Sequence, residues 1–201
     1  MTQHGPGAEA PQPERARMLE YLRARGAALA PAEIHARFRA AVREFEAALD
    51  GVTEAEARRS VVAGEWTIAQ VVDHLAQTTI RSADALRHHL AGRRPPAPPV
   101  YEGLISAAAA WASWDELLEG LRSANGELDA LLGAAKVADG TPPTPTIRTI
   151  LVAQRTSPTG QAASEAFAAE LGWKEYALVQ RLHLLDHRNQ VRALRAALRL
   201  V

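Results

Sequence analysis

The chain has 201 residues, no cysteine and a formal net charge of zero. That length suits one domain with its own core. The missing cysteines exclude disulfides and a cysteine nucleophile, and the neutral balance gives no electrostatic case for nucleic acid or an acidic membrane surface.

Hydrophobic residues make up 47% of the chain and aromatic residues only 5%, an alanine-rich mixture that favours helices over sheets. No apolar run approaches the roughly 18 residues of a membrane span. Residues 1–13 have no basic-plus-apolar signal pattern and read as a disordered polar tail, so cytoplasmic residence is the expectation. Residues 14–201 read as a single domain.

Residues 14–28 are predicted to form a short extra N-terminal helix closed near Gly26. Pro31 suits a first helical position, and Ile34, Phe38, Val42, Phe45 and Leu49 recur at spacings of three and four, the stripe of an amphipathic helix ended by Gly51. Residues 51–65 read as a loop with one possible helical turn. Thr67 and Gln70 have the form of a capping box, opening a second long helix whose apolar arc is Ile68, Val71, Val72, Leu75, Leu86 and Leu90. Asp73, Gln77, Arg81, Asp84 and His88 are assigned to its solvent side. His74 sits at the edge of the arc beside Thr78, where a cleft-lining residue belongs.

The proline-rich stretch from Gly92 to Pro99 reads as a stiff, extended connection, long enough to cross over between parallel neighbours, with a small helix around residues 103–110. Ser113 and Glu116 form a second capping box, followed by Leu117, Leu121, Ala124, Leu128 and Leu131, a third long helix ending near Gly133. Residues 139–160 are rich in Pro, Thr and Gly, with a short strand allowed at 146–154. Residues 164–171 read as a helical turn or two leading into the last helix, from about Trp173. The expected fold is all-α, a four-helix bundle.

The last helix carries the informative pattern. At roughly 100° per residue, Tyr176, Gln180, His183, His187, Gln190 and Leu194 share one face, with Arg181, Arg188, Arg192, Arg195 and Arg199 opposite. Arginines stay solvated, so the Gln/His stripe is expected to point inward, and buried polar groups need a partner. His183 and His187 are four apart, so their rings can converge on one point. Imidazole is the commonest metal ligand, and His74 offers a third ring from another core helix. Three imidazoles on a divalent ion leave coordination positions for water or substrate. The alternative is a set of core histidines hydrogen-bonded to Gln180, Gln190 and Tyr176. Asp73 and Asp186 adjoin ligand candidates but fall on other faces, and read as surface carboxylates. His35, His88 and His89 read as solvated, His4 as part of the tail, and Trp66, Trp111, Trp114 and Trp173 as packing residues.

The segment Trp66-Thr67-Ile68-Ala69-Gln70-Val71-Val72-Asp73-His74-Leu75 resembles the Trp-x(6–7)-His-Leu segment of the DinB/YfiT superfamily. His183-x-x-x-His187-x-x-Gln190 resembles that family's C-terminal His-x-x-x-His-x-x-Gln signature, and residues 113–118 resemble the opening of its third helix. The similarity runs from about residue 31 to 201. It implies an up-down-down-up bundle with a long crossover between bundle helices 2 and 3. It also implies a divalent transition metal, zinc or nickel, on His74, His183 and His187, in a chain that forms homodimers. Some members are thiol-dependent transferases or isomerases using a low-molecular-weight thiol, others resemble metal-dependent hydrolases, and some respond to stress. The resemblance thus implies an enzyme activating a thiol or water for attack on a small electrophilic substrate, with Tyr176, Gln180, Gln190 and Thr78 as cleft-lining candidates; the alternative is a non-enzymatic metal- or ligand-binding stress protein. The extra N-terminal segment, the 139–160 loop and the lack of residues after the last helix depart from the family pattern.

Overall fold

Capping residues set where the long helices begin. In the computed structural model, which describes residues 13–95, 103–135, 146–156 and 162–199, both sequence-predicted capping boxes form. Thr67 accepts from the backbone N–H of Gln70, whose side chain accepts from the N–H of Thr67 at 2.8 Å. Ser113 and Glu116 do the same, and an unforeseen third box, Thr53 with Glu56, makes a helix of the turn expected in 51–65. The elements are α1 (Pro13–Ala28), α2 (Pro31–Leu49), α3 (Glu54–Arg58), α4 (Ile68–Leu90), α5 (Ala108–Trp111), α6 (Trp114–Ala134), β1 (Ile147–Thr156), β2 (Ala162–Leu171) and α7 (Trp173–Leu198). Gly51 and Gly92, just past α2 and α4, have φ of 74° and 69°, the left-handed conformation in which glycine ends a helix without a Cβ penalty. Gly26 does not close α1, which continues to Ala28.

Cross-helix contacts fix the topology. Lys174 donates to the carbonyls of Gly26 and Leu29 at 3.0 and 2.8 Å, just ahead of α2. Further along, Arg188 pairs with Glu44, and Arg195 donates to the Ala48 carbonyl at 2.6 Å. The numbers rise together, so α2 and α7 run parallel. His35 meets Asp129 at 2.7 Å whereas Val52 meets Trp114 at 3.0 Å, so α2 and α6 are antiparallel. Asp73 early in α4 meets Ser106, ahead of α6, and Arg87 near the end of α4 meets Glu127 well along α6, so the two helices run parallel. Those of His74 with His183 and of Ser82 with Gln180 make α4 and α7 antiparallel. The result is an up-down-down-up four-helix bundle of α2, α4, α6 and α7, with the α4–α6 connection as its long crossover and α1 as an extra helix.

Ile34, Phe38 and Phe45 of α2, Leu75 and Leu86 of α4, Leu121, Leu128 and Leu132 of α6, and Leu184 and Val191 of α7 are buried in one core. Burying such side chains, about 1.5–3 kcal/mol each, holds the four helices together.

The structure corrects several expectations. Residues 164–171 are not helical: they belong to β2, antiparallel to β1 with Ile147 opposite Leu171 and Leu151 opposite Phe167. Those four side chains are buried, and the period-two burial of one hairpin face outweighs the helix propensity of the alanines. The strand expected at 146–154 is real and runs on to Thr156. Asp73 and His89, assigned to solvent, are each 2% exposed. Trp111, assigned to packing, is 73% exposed. The arginine face of α7 is not uniformly solvated, because Arg188 and Arg195 bridge to α2. His35 is half-buried against Asp129, and His88 reaches the Asp84 carbonyl at 2.9 Å. Residues 1–12 of the expected tail, His4 among them, residues 96–99 of the proline-rich stretch, and 139–145 and 157–160 of the second loop lie outside the described residues, while Pro13, assigned to the tail, opens α1.

Candidate metal centre

The antiparallel crossing of α4 and α7 sets the site. Thr67 starts α4 so that His74, two turns in, points between the helices and is 7% exposed. On α7, His183 and His187 lie one turn apart on the facing side. The Nε2 of His183 is 3.1 Å from the Nε2 of His74 and 3.0 Å from that of His187. Ring centroids are 4.6–5.1 Å apart, with the planes tilted steeply to one another. Among the described residues this is the one group of three or more His, Cys, Asp or Glu side chains whose ligand atoms all fall within 4.8 Å.

The other ring nitrogens show how the site is prepared. His74 donates from Nδ1 to the Leu104 carbonyl at 3.0 Å, and His187 donates from Nδ1 to Gln190 Oε1 at 2.8 Å. Each bond places the proton on Nδ1 and leaves a lone pair on Nε2, directed at the common point. Converging lone pairs repel unless a proton or a cation lies between them. Two imidazole nitrogens bound at about 2.0–2.1 Å to a tetrahedral ion stand roughly 3.3 Å apart, close to the separations here. The donor set therefore fits a divalent transition metal with three neutral nitrogen ligands.

Burial keeps those three rings neutral. Desolvation, then the neighbouring His187, lowers His74 to about 4. His183 is held well below the usual imidazole value by desolvation, with His187 and His74 adding to it. His187 is lowered by desolvation against the opposing pull of Gln190 and Asp186. At neutral pH a metal ion need not displace protons from these rings.

Trp66 walls the site. Its indole lies 4.7 Å from the His74 ring and stacks on His187 at 6.1 Å with 13° between planes. Gly103 lies against the indole so closely that a Cβ there would sit 2.6 Å from Trp66 Cζ2. Asp73 accepts from the Ser106 N–H at 2.5 Å and from its hydroxyl at 2.7 Å. Sequence reasoning placed Asp73 on a different face from His74, which is correct. That face meets the crossover segment rather than water.

The cleft-lining candidates separate into two groups. Gln190 sits on the triad as the partner of His187. Gln180 is buried one turn from His183, its Oε1 accepting from the Ser82 hydroxyl at 2.9 Å. Tyr176 is buried one turn further, its phenol pushed up to about 12 by desolvation while Ser82 pulls the other way. Thr78 donates to the His74 carbonyl of its own helix at 2.8 Å. Sequence reasoning missed Ser82; its place four residues after Thr78 was the available signal. Asp186 is exposed.

The family model of the DinB superfamily matches residues 37–163, a stretch that holds α4 and His74 and ends before α7. No curated protein matches the chain. The crystal structure of TT2238, a four-helix bundle protein, is similar to this chain at 18% identity with a TM-score of 0.48, covering 81% of this chain and 98% of that one.

Proposed function

The chain belongs to the DinB superfamily, and we propose that it is a metal-dependent enzyme acting on a small electrophilic substrate, with a low-molecular-weight thiol or water as nucleophile. The observation that carries this reading is the meeting of three neutral imidazole nitrogens within 3.0–3.1 Å of the next. When bound, a divalent ion such as zinc or nickel supplies a Lewis-acidic centre that lowers the pKa of a thiol or water beside it. His74, His183 and His187 hold the ion, and Leu104 and Gln190 orient two of the rings. Trp66 excludes water from one side. Tyr176, Gln180, Gln190 and Thr78 line the cleft in this proposal. With no cysteine in the chain, any thiol arrives as a separate molecule. Neutral ligands leave the charge of the ion undiminished for that work. The protein is proposed to act as a cytoplasmic homodimer in detoxification or a stress response, and sedimentation velocity tests the dimer.

The enzymatic reading is tested by incubating protein purified without a histidine tag with a panel of small thiols and electrophiles, an epoxide and a chlorinated arene among them. The expected result is turnover that a chelator removes and added zinc or nickel restores. Tight metal binding without turnover under any thiol, or with water alone, would replace the enzyme by a non-enzymatic binder.

A further inference from the structure

Adjacent residues of α4 grip one short piece of the crossover. His74 Nδ1 donates to the Leu104 carbonyl, and Asp73 takes both the backbone N–H and the hydroxyl of Ser106. A buried carboxylate is costly unless hydrogen-bonded, and apolar contact alone could have held a loop against a helix. A carboxylate with both oxygens engaged fixes the peptide it grips in direction as well as position. The Ser106 hydroxyl in turn accepts from the Ala108 N–H at 3.1 Å at the start of α5. Arg58 holds the far side of α5, donating to the Ala109 carbonyl at 3.2 Å and to that of Ala112. The segment between Trp66 and α5 is thus pinned at Gly103, Leu104 and Ser106.

We infer that Asp73 and Ser106 are positioning residues for His74: their bonds hold the Leu104 carbonyl where it selects the Nδ1–H tautomer and aims Nε2 at His183 and His187. The inference rests on the reading of the triad as a metal centre. Without the Leu104 acceptor, His74 can move its proton to Nε2, and an N–H pointed into the triad blocks a ligand position. The pair acts on the ion through His74 alone.

The test compares zinc affinity, and the His74 tautomer read from its side-chain nitrogen shifts in the metal-free protein, in wild type, Ser106→Ala, Asp73→Ala and Ser106→Thr. Wild type is expected to show the Nδ1–H form. Asp73→Ala is expected to bind zinc about 10–100-fold more weakly, as loss of an outer-shell partner typically does, with mixed tautomers. Ser106→Ala, which keeps the backbone N–H and is the milder change should Asp73→Ala fail to fold, is expected to fall between, and Ser106→Thr to restore wild-type behaviour. In a His74→Ala background, Asp73→Ala is expected to have no further effect on zinc binding. Unchanged affinity and tautomer in both alanine variants, or an equal loss with and without His74, would overturn the inference. Wild type that took up no zinc would instead end the reading of the triad itself, and this inference with it.

Discussion

The Nε2 atoms of His74 and His183 face each other at 3.1 Å across two antiparallel helices, from positions 109 residues apart in the chain. Buried ring nitrogens gathered this closely offer a cation a site that the unfolded chain, which scatters them, lacks. Zinc at a hundredfold excess over its dissociation constant should therefore stabilise the fold by about 2.7 kcal/mol, roughly 5–10 °C in melting temperature for a chain of this size. His187→Ala should remove most of that shift in a metal-dependent thermal melt. An equal shift in wild type and variant would place the zinc elsewhere.

Protonation should oppose folding of the metal-free protein in a defined window. The three imidazoles titrate below their ordinary value of 6.5 when folded, His74 near 4. Between those values the unfolded chain binds more protons, so stability rises with pH. Their contribution is fully present above about 6.5 and is lost as pH falls toward 4. Denaturant unfolding of chelator-treated protein should show this loss, and replacing all three histidines by glutamine should flatten it.

Gln190 should matter for affinity more than for folding. It accepts from His187 Nδ1 at 2.8 Å, and Gln190→Leu removes that acceptor from a half-buried position. Isothermal titration should find zinc binding weakened about 10-fold or more at nearly unchanged metal-free stability. Unchanged affinity would mean that His187 is oriented by its packing on Trp66 alone.

Asn125 offers a test of the bundle away from the triad. It is 4% exposed on α6, and neither its Oδ1 nor its Nδ2 finds a partner among the described residues. A buried polar group left unpaired costs about 1–3 kcal/mol. Asn125→Leu, which keeps the branching and heavy-atom count of the side chain, should raise the unfolding free energy by about 1 kcal/mol or more. A loss of stability would show that the amide is satisfied by a buried water.

The bundle was legible because its helices announce themselves: Thr67 with Gln70 and Ser113 with Glu116 mark starts, Gly51 marks a stop, and the apolar residues keep a helical period. The triad was legible from the four-residue spacing of His183 and His187 and from the place of His74 beside the apolar arc. The hairpin was half hidden, because alanine-rich 162–171 satisfies a helical reading as well as a strand. Its partner strand and the bundle beneath decide the matter through Phe167 and Leu171, and neither contact is local. Asp73 was misread for the same reason: facing away from the core meant facing water only while the crossover segment was left out. Trp66 could be assigned to packing from its type, but its stacking on His187 requires α7 to lie across α4.

X-ray absorption at the metal edge of tag-free protein tests the centre most directly. The account predicts three imidazole nitrogens at about 2.0–2.1 Å around a zinc or nickel ion, falling to two in His74→Ala. Protein that holds no first-row metal after incubation with zinc and nickel, or a spectrum whose imidazole count is unchanged in His74→Ala, would contradict it.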